Sequence, residues 1–281
     1  MPIAASELIL NADGSIYHLG LRPEDLGSKV ITVGDPERVS MVSKHFDRIE
    51  IEINKREFVT HTGYLGNERI SVVSTGIGTD NVDIVLNEID ALVNVDFNSR
   101  EIKPAKTSLD IIRIGTSGTI RSEINMDEII ISKGAIGLDG LCHFYEKAEN
   151  EEEVNILTWD IPWPIKPYFS WGSDRLANQF SKLGNPGITI TNTGFYGPQS
   201  RTLRLKPKVD HFFELLESQD IKGYKITNLE METSGLYGLS ELLGHHCISI
   251  NAILANRKLG VFSTNPLKTI ERTILSVLDL I

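Results

Sequence analysis

The residues of this sequence that could do chemistry sit in short, glycine-punctuated groups beside apolar runs. GDPERV (34–39) follows the run KVITVG (29–34). In open α/β sheets, ligands collect at the carboxyl ends of such strands. Gly34 lets a ligand approach the backbone, Asp35-Pro36 can start a helix, and Arg38 then projects from its first turn. A helix N-terminus with a nearby guanidinium favours an anion. A plain strand-to-helix turn with a surface arginine accounts for the same residues. RIGTSGTI (113–120) places Arg113 inside the apolar run IIRIG. A buried charge needs a partner, so either an anionic ligand or a structural carboxylate faces it. The residues Gly115-Thr116-Ser117-Gly118 read as a small donor-rich turn suited to phosphate oxygens. STGIGTDN (74–81) is a similar glycine turn before a helix. It lacks the lysine of a P-loop, and neither turn has the dinucleotide glycine pattern, which leaves ATP and NAD chemistry with little support.

NLEMET (228–233) carries Glu230 and Glu232 on either side of Met231. If the segment is extended or only beginning a helix, both carboxylates can meet one ligand and accept from vicinal sugar hydroxyls. The alternative is two acids at a helix N-terminus, a common and favourable placement. His18 lies in the apolar IYHLGL (16–21), and Arg56 and Glu57 lie on a hairpin strand in KREFVT (55–60). Each has an ordinary structural reading as well. GFYGPQSR (194–201) ends a tight aromatic turn on a planar hydrogen-bonding fork, Gln199 and Arg201, with Phe195 beside it.

These groups need a scaffold, and its pattern is an alternation of strands and helices. EIEINKREFVTHTGYLGNERISVVSTG (50–76) reads as a hairpin turning at Leu65–Asn67. NVDIVLNEIDALV (81–93) puts Val82, Val85, Leu86, Ile89 and Leu92 on one helical stripe. DIIRIG (110–115), EIIISKG (128–134), GITITNT (187–193) and HHCISINAILANR (245–257) read as strands. NLEMETSGLYGLSELLG (228–244) and NPLKTIERTILSVLDLI (265–281) read as helices. The prediction is a single α/β domain over 1–281, with a central mixed β-sheet surrounded by helices. Two polar segments, 94–108 and 145–165, read as insertions. The acidic YEKAENEEEVN (145–155) is expected to be a solvated face or mobile loop.

Composition bounds the partners. Of 281 residues 41% are hydrophobic, enough for a full core, and the net charge is -10. That balance argues against nucleic acid as a partner. Cys142 and Cys247 fit no metal or redox spacing. No apolar stretch approaches the ~18–20 residues of a membrane span. MPIAASELILNADGS has no secretory pattern, so a cytoplasmic location without a membrane partner is expected.

Together and in this order, IYHLGL, GDPERV, KREF, STGIG, RIGTSGTI, GFYGPQSR, LEMET and the final NR (256–257) resemble the nucleoside phosphorylase-I family. The resemblance runs from about residue 16 to the C-terminus. It implies a pentosyltransferase in which orthophosphate attacks the anomeric carbon of a nucleoside. GFYGPQSR is similar to the family's pyrimidine-recognition segment, which points to uridine as the substrate and to uracil and ribose 1-phosphate as products.

By the same resemblance Gly34, Arg38, Arg113 and Thr116 hold phosphate, and Arg56 completes that site from a neighbouring subunit. Glu232 holds the ribose hydroxyls, with Met231 under the sugar and Glu230 nearby. His18 reaches the 5′-hydroxyl across the interface, beside Tyr17. Phe195, Gln199, Arg201 and Arg257 take the base, and Arg113, Glu232, Gln199 and Arg201 are the implied catalytic group. Asn256 falls where purine-specific relatives carry an acid. At least a homodimer is implied, with a hexamer built as a trimer of dimers the larger assembly. No cofactor is required; phosphate is a substrate, and a structural K+ is implied at Glu57, Ile77 and Asn81. Thr79-Asp80-Asn81 stand where the family carries Gly-Pro-Ser, and the Gly197-Pro198 order is reversed from the common form. A nucleosidase, a purine nucleoside phosphorylase and a nucleoside-binding protein without activity are the competing readings. Arg113→Ala is expected to abolish phosphorolysis with the fold intact.

Overall fold

A computed structural model describes residues 2–209 and 212–281. Its strands are β1 (Lys29–Val33), β2 (Arg48–Lys55), β3 (Phe58–Leu65), β4 (Glu68–Ser74), β5 (Val95–Asp96), β6 (Glu101–Ile102), β7 (Asp110–Thr119), β8 (Ile129–Leu138), β9 (Tyr168–Trp171), β10 (Asn185–Asn192), β11 (Asp220–Ile221), β12 (Tyr224–Glu230), β13 (His246–Asn256) and β14 (Val261–Phe262). The α-helices are α1 (Pro36–Ser43), α2 (Thr79–Asn94), α3 (Glu151–Leu157), α4 (Asp174–Gln179), α5 (Phe212–Glu217), α6 (Thr233–Leu243) and α7 (Pro266–Leu278).

All strands but β5 and β6 join one 12-stranded mixed sheet, ordered β11-β12-β10-β8-β13-β7-β1-β4-β3-β2 with β14 on β13 and β9 on β8. β12 also pairs with β7, so β7, β13, β8, β10 and β12 close into a ring. The period of two along each strand divides the core between the two faces. Ile31, Ile112 and Ile248 pack with Val39, Val42, Leu176, Ile274 and Val277 of α1, α4 and α7. Their neighbours Val30 and Ile111 pack on the opposite face with Val82, Val85, Leu86 and Ile89 of α2 and with Leu236 of α6. The fold class is the one expected, a central mixed sheet between helices.

Four local expectations are corrected. Gly115–Gly118 is not a turn: it continues β7, paired Gly115↔Asn251, Thr116↔Ala252 and Ser117↔Ile253 with β13. Ladder bonds from the neighbouring strand override the turn preference of small residues. The segment 228–244 is not one helix. Asn228, Leu229 and Glu230 pair with β10, and α6 begins only at Thr233. Arg56 and Glu57 form the β2–β3 turn rather than part of a strand, with Lys55 paired to Phe58 and Arg56 at φ 57. The acidic segment 145–155 is not solvated throughout. Glu152 and Glu153 are buried in or beside α3, where Glu153 pairs with Lys147 at 2.7 Å and Glu152 with Lys222 at 2.5 Å. Glu153 also accepts from the Phe169 amide at 2.9 Å, which fastens α3 to β9. The other polar segment, 94–108, carries the separate β5–β6 pair.

Candidate active site

Parallel β1, β4 and β7 deliver three chain ends to one crevice. β1 ends in Gly34 and Asp35; Asp35 caps α1 by accepting from the Glu37 amide at 3.0 Å, and Pro36 occupies the first turn. β4 ends in Thr75-Gly76-Ile77-Gly78 before α2, and both glycines have left-handed backbone, φ 73 and 96. That conformation suits glycine alone among common residues, and it turns the Gly78 amide inward to donate to Glu232 at 2.8 Å. β12 brings in Glu230, Met231 and Glu232 just before α6.

The cavity they surround has a volume of about 710 Å³. Gly34, Arg38, Arg113 and Thr116 line it, as do Glu230, Met231 and Glu232, then Phe195, Gln199 and Arg201, and finally Glu57, Ile77 and Asn81. Residues from six separated segments thus meet in one space.

Its centre is an ion-pair cluster. Arg113 is 4% exposed and donates to Glu232 at 2.5 Å and to Asn251 at 3.0 Å, with Glu230 3.3 Å away. Burial pulls its pKa down, but Glu230 and Glu232 outweigh burial and hold it above the ordinary value. The structural carboxylate that one reading of Arg113 requires is thus present, and the residue also lines the cavity. Arg38, also buried, donates to the Ile114 carbonyl at 3.3 Å. Burial and then the nearby Arg113 lower its pKa, against Asp35 and Glu232. Two guanidiniums that close, with one left less compensated than the other, favour the arrival of an anion.

Glu230 departs from its expected role. Its Oε1 accepts from Thr191 at 2.6 Å, and its Oε2 accepts from the amides of Glu232 and Thr233 at 2.9 Å each. It is the capping group of α6 and the support of Glu232, rather than a carboxylate open to sugar hydroxyls. Burial raises its pKa, Arg113 opposes this and Glu232 adds to it. Glu232 lines the cavity with its carboxylate oriented by the Gly78 amide and Arg113.

At the other end Gly197–Gln199 forms a single 3-10 turn and Ser200 turns left-handed at φ 52. This brings Arg201 back over the Phe195 ring, 3.6 Å from its centre. Arg201 donates to Gln199 Oε1 at 2.5 Å and to the Phe195 carbonyl at 2.7 Å. The fork is thus closed on itself, and Gln199 presents its remaining N–H and lone pair. Burial, and then Arg257, lower the Arg201 pKa to about 10. Arg257 stands behind, donating to the Gln199 carbonyl at 3.0 Å, and does not line the cavity.

His18 and Arg56 lie outside this cavity. They meet instead around Tyr17, whose ring is 4.8 Å from that of His18 and 5.7 Å from the Arg56 guanidinium. Glu88 holds His18 Nδ1 at 2.7 Å. Asn256 is also outside: it donates to the carbonyls of Arg121 and Ile124 and accepts from the amides of Lys258 and Leu259, so its direct contact with a base is not supported. Phe262 of β14 lines the cavity unforeseen, because nothing in its local sequence separates it from an ordinary strand aromatic. Among the described residues no group of three His, Cys, Asp or Glu could hold a metal ion, and no helix is long and apolar enough to cross a membrane.

An α/β sheet carrying two convergent arginines, a sugar-type carboxylate and a base-type fork in one crevice defines a class that acts on a glycosidic bond with an anion. The sequence profile of the Phosphorylase superfamily matches residues 28–271, and the chain belongs to that superfamily. A uridine phosphorylase of Thermococcus kodakarensis is 28% identical over 253 residues, 89% of this chain and 80% of that one. One from Haemophilus influenzae is 27% identical and covers 86% of each chain. A DeoD-type purine nucleoside phosphorylase of Buchnera aphidicola is 29% identical over 83% of this chain and 82% of its own. Among solved structures, a Trypanosoma brucei nucleoside phosphorylase showing uridine phosphorylase activity superposes with a TM-score of 0.87 at 25% identity, covering 98% of this chain and 99% of that one.

Proposed function

We propose that the chain is a pyrimidine nucleoside phosphorylase that converts uridine and phosphate to uracil and ribose 1-phosphate. The observation that carries the reading is the order of groups within one cavity: guanidiniums at Arg38 and Arg113, the carboxylate of Glu232, then the Gln199–Arg201 fork with Phe195. Phosphate bound by Gly34, Arg38, Arg113 and Thr116 offers an oxygen to the anomeric carbon. A C–O bond forms as the C–N bond to the base breaks. The sugar passes through an oxocarbenium-like state, as in glycoside hydrolysis with phosphate in place of water. The bound dianion stabilises the developing positive charge. The fork donates to the base as it departs with the bonding pair, and the base then takes up a proton. Overall identity does not choose the base, since uridine and purine relatives lie within two percentage points. The choice rests on Gln199, whose amide matches N3–H beside a carbonyl.

One protomer lacks Arg56 and His18 in its own cavity, and both lie in one cluster around Tyr17. We therefore read the working enzyme as at least a dimer, each subunit presenting that cluster to its neighbour. Glu57, Ile77 and Asn81 share the cavity wall, and their carboxylate, carbonyl and amide oxygens are the hard donors an alkali ion takes. They would hold K+ as a structural charge between subunits, and it supplies no step of the reaction.

Uracil release from uridine, followed spectrophotometrically with and without phosphate, tests the reading. Release that requires phosphate, with inosine a poor substrate, is expected. Phosphate-independent release would mean a nucleosidase, preference for inosine would mean a purine enzyme, and binding without turnover would mean a non-catalytic protein.

A further inference from the structure

The ring of β7, β13, β8, β10 and β12 has an unusual interior. Side chains fill small barrels, and apolar ones are the usual filling. Here each strand contributes a polar residue to one chain of hydrogen bonds, which visits the strands in their order of pairing. Arg113 on β7 donates to Asn251 Oδ1 on β13 at 3.0 Å. Asn251 Nδ2 donates to Ser132 Oγ on β8 at 3.0 Å. Ser132 Oγ lies 2.6 Å from Thr189 Oγ1 on β10. Thr189 donates to Asn228 Oδ1 on β12 at 3.0 Å, and Asn228 Nδ2 donates to Ser117 Oγ, back on β7, at 3.0 Å. Ser117 is 8% exposed and the other members are less so.

The direction of the links follows from Arg113 at one end and from the orientation of the Asn228 amide at the other. A guanidinium has no acceptor, so Asn251 must turn its oxygen to Arg113 and its amide nitrogen to Ser132. Each hydroxyl has one proton. Asn228 turns its Oδ1 to the hydroxyls of Thr189 and Thr227 and its Nδ2 to Ser117; Thr189, which gives its one proton to Asn228, therefore accepts from Ser132. Ser117 accepts from behind, and its own proton meets no acceptor among the described residues. That hydroxyl lines the cavity. Gln199 and Arg201 line the same cavity, and a Cβ built on the next residue, Gly118, would lie 3.4 Å from Arg257, which holds the Gln199 carbonyl.

We propose that this one-way relay fixes Ser117 as a donor to a carbonyl oxygen of the bound pyrimidine, with Asn228 as the residue that sets its polarity. The proposal rests on the uridine reading above. A carbonyl of the base gains negative charge as the glycosidic bond breaks, so a donor held in this polarity stabilises the transition state more than the ground state. The relay also ties this donor to Arg113, so that the anion end and the base end of the cavity share one buried frame. Partly satisfied networks of this kind are costly, and the one proton left over here, that of Ser117, belongs to a residue that lines the cavity.

Ser117→Ala, Ser117→Thr and Asn228→Asp, each assayed with uridine and phosphate beside the unaltered enzyme, test it. Ser117→Ala should lower kcat/KM for uridine about tenfold, the scale of one neutral hydrogen bond, and leave the phosphate KM unchanged. Ser117→Thr keeps the hydroxyl and should recover most of the loss. Asn228→Asp offers Ser117 an acceptor, draws its proton away from the cavity and should cost as much as Ser117→Ala. The double variant should then be no worse than either single one. Unchanged uridine kinetics in Ser117→Ala, a loss confined to the phosphate KM, or additive losses in the double variant would each overturn the proposal. The two Ser117 variants decide it alone should Asn228→Asp not fold. An unaltered enzyme inactive on uridine sinks the function reading itself, a result distinct from all of these.

Discussion

Removing Arg113 probes the ion-pair cluster more severely than the sequence suggests. Arg113→Ala leaves Glu230 and Glu232, each 5% exposed, facing one another without their shared cation, and strips Asn251 of its donor. Breaking a buried pair typically costs about 3–5 kcal/mol because the surviving charge is uncompensated. Against a total stability of roughly 5–15 kcal/mol, the variant should still fold but with little in reserve, a cost the sequence alone does not show. With a urea m-value of about 3 kcal/mol per molar for a large domain, the midpoint should fall by about 1–2 M. The pH dependence identifies the cause. Glu230 already has a carboxyl raised by burial and held back by Arg113; without Arg113 it must rise further. A carboxyl raised in the folded state binds its proton more tightly there, so the folded form is favoured below the unfolded value and loses that advantage as pH climbs through the folded one. The deficit of the variant should therefore be largest near pH 8 and narrow toward pH 5. Urea unfolding followed by tryptophan fluorescence across that range reads it directly. Arg113→Lys, which keeps the charge but not the planar reach, should recover most of the stability and little of the phosphorolysis. A variant as stable as the parent at pH 8, or a deficit that widens toward acid, would refute the reasoning.

Other consequences follow from the same geometry. A Cβ at Gly115 would lie 1.5 Å from Arg113 Nη1 and 2.7 Å from Asn251 Oδ1, so Gly115→Ala should displace the guanidinium, cost about 1–3 kcal/mol as overpacking and raise the phosphate KM; a kinetically silent Gly115→Ala would remove Arg113 from the phosphate site. Gln199→Ala takes the acceptor from Arg201 and should lower kcat/KM for uridine by about 10–100-fold, the range for a hydrogen bond to a charged group, with the phosphate KM unmoved; equal losses for uridine and inosine would contradict its role in base choice. Burial pushes the Cys142 and Cys247 thiols up to about 12, so a disulfide reagent at pH 8 should titrate neither in the folded protein and both in denaturant. Glu153→Ala should strand Lys147 and loosen α3 from β9, visible as faster amide exchange over 146–157, while uridine turnover is retained.

The sheet was legible from the sequence because its strands carry long β-branched runs, and α2 and α7 were legible because their stripes repeat at the helical period. The Arg113 cluster was legible for a different reason: a charge inside an apolar run announces that something must meet it, and Glu230 and Glu232 do. The same rule applied to Asn251, in the apolar run ISINAIL, would have found the relay. What stayed hidden was decided by neighbours far along the chain. Gly115–Gly118 has the composition of a turn and becomes strand because β13 and β12 lie along its two edges. Glu230 and Glu232 are nearly interchangeable in sequence and both line the cavity, yet one is tied to the amides that open α6 and the other to Gly78 and Arg113. The difference is set by where β12 ends: Glu230 is the last residue in register with β10, and Glu232 lies two residues beyond it, past Met231. A two-residue shift of that end would put Glu232 where Glu230 now stands. The pairing of β12 with β10 and β7 therefore determines which acid is tied to the start of α6 and which is left to Gly78 and Arg113, and the ring of strands shapes the cavity as much as the side chains it carries.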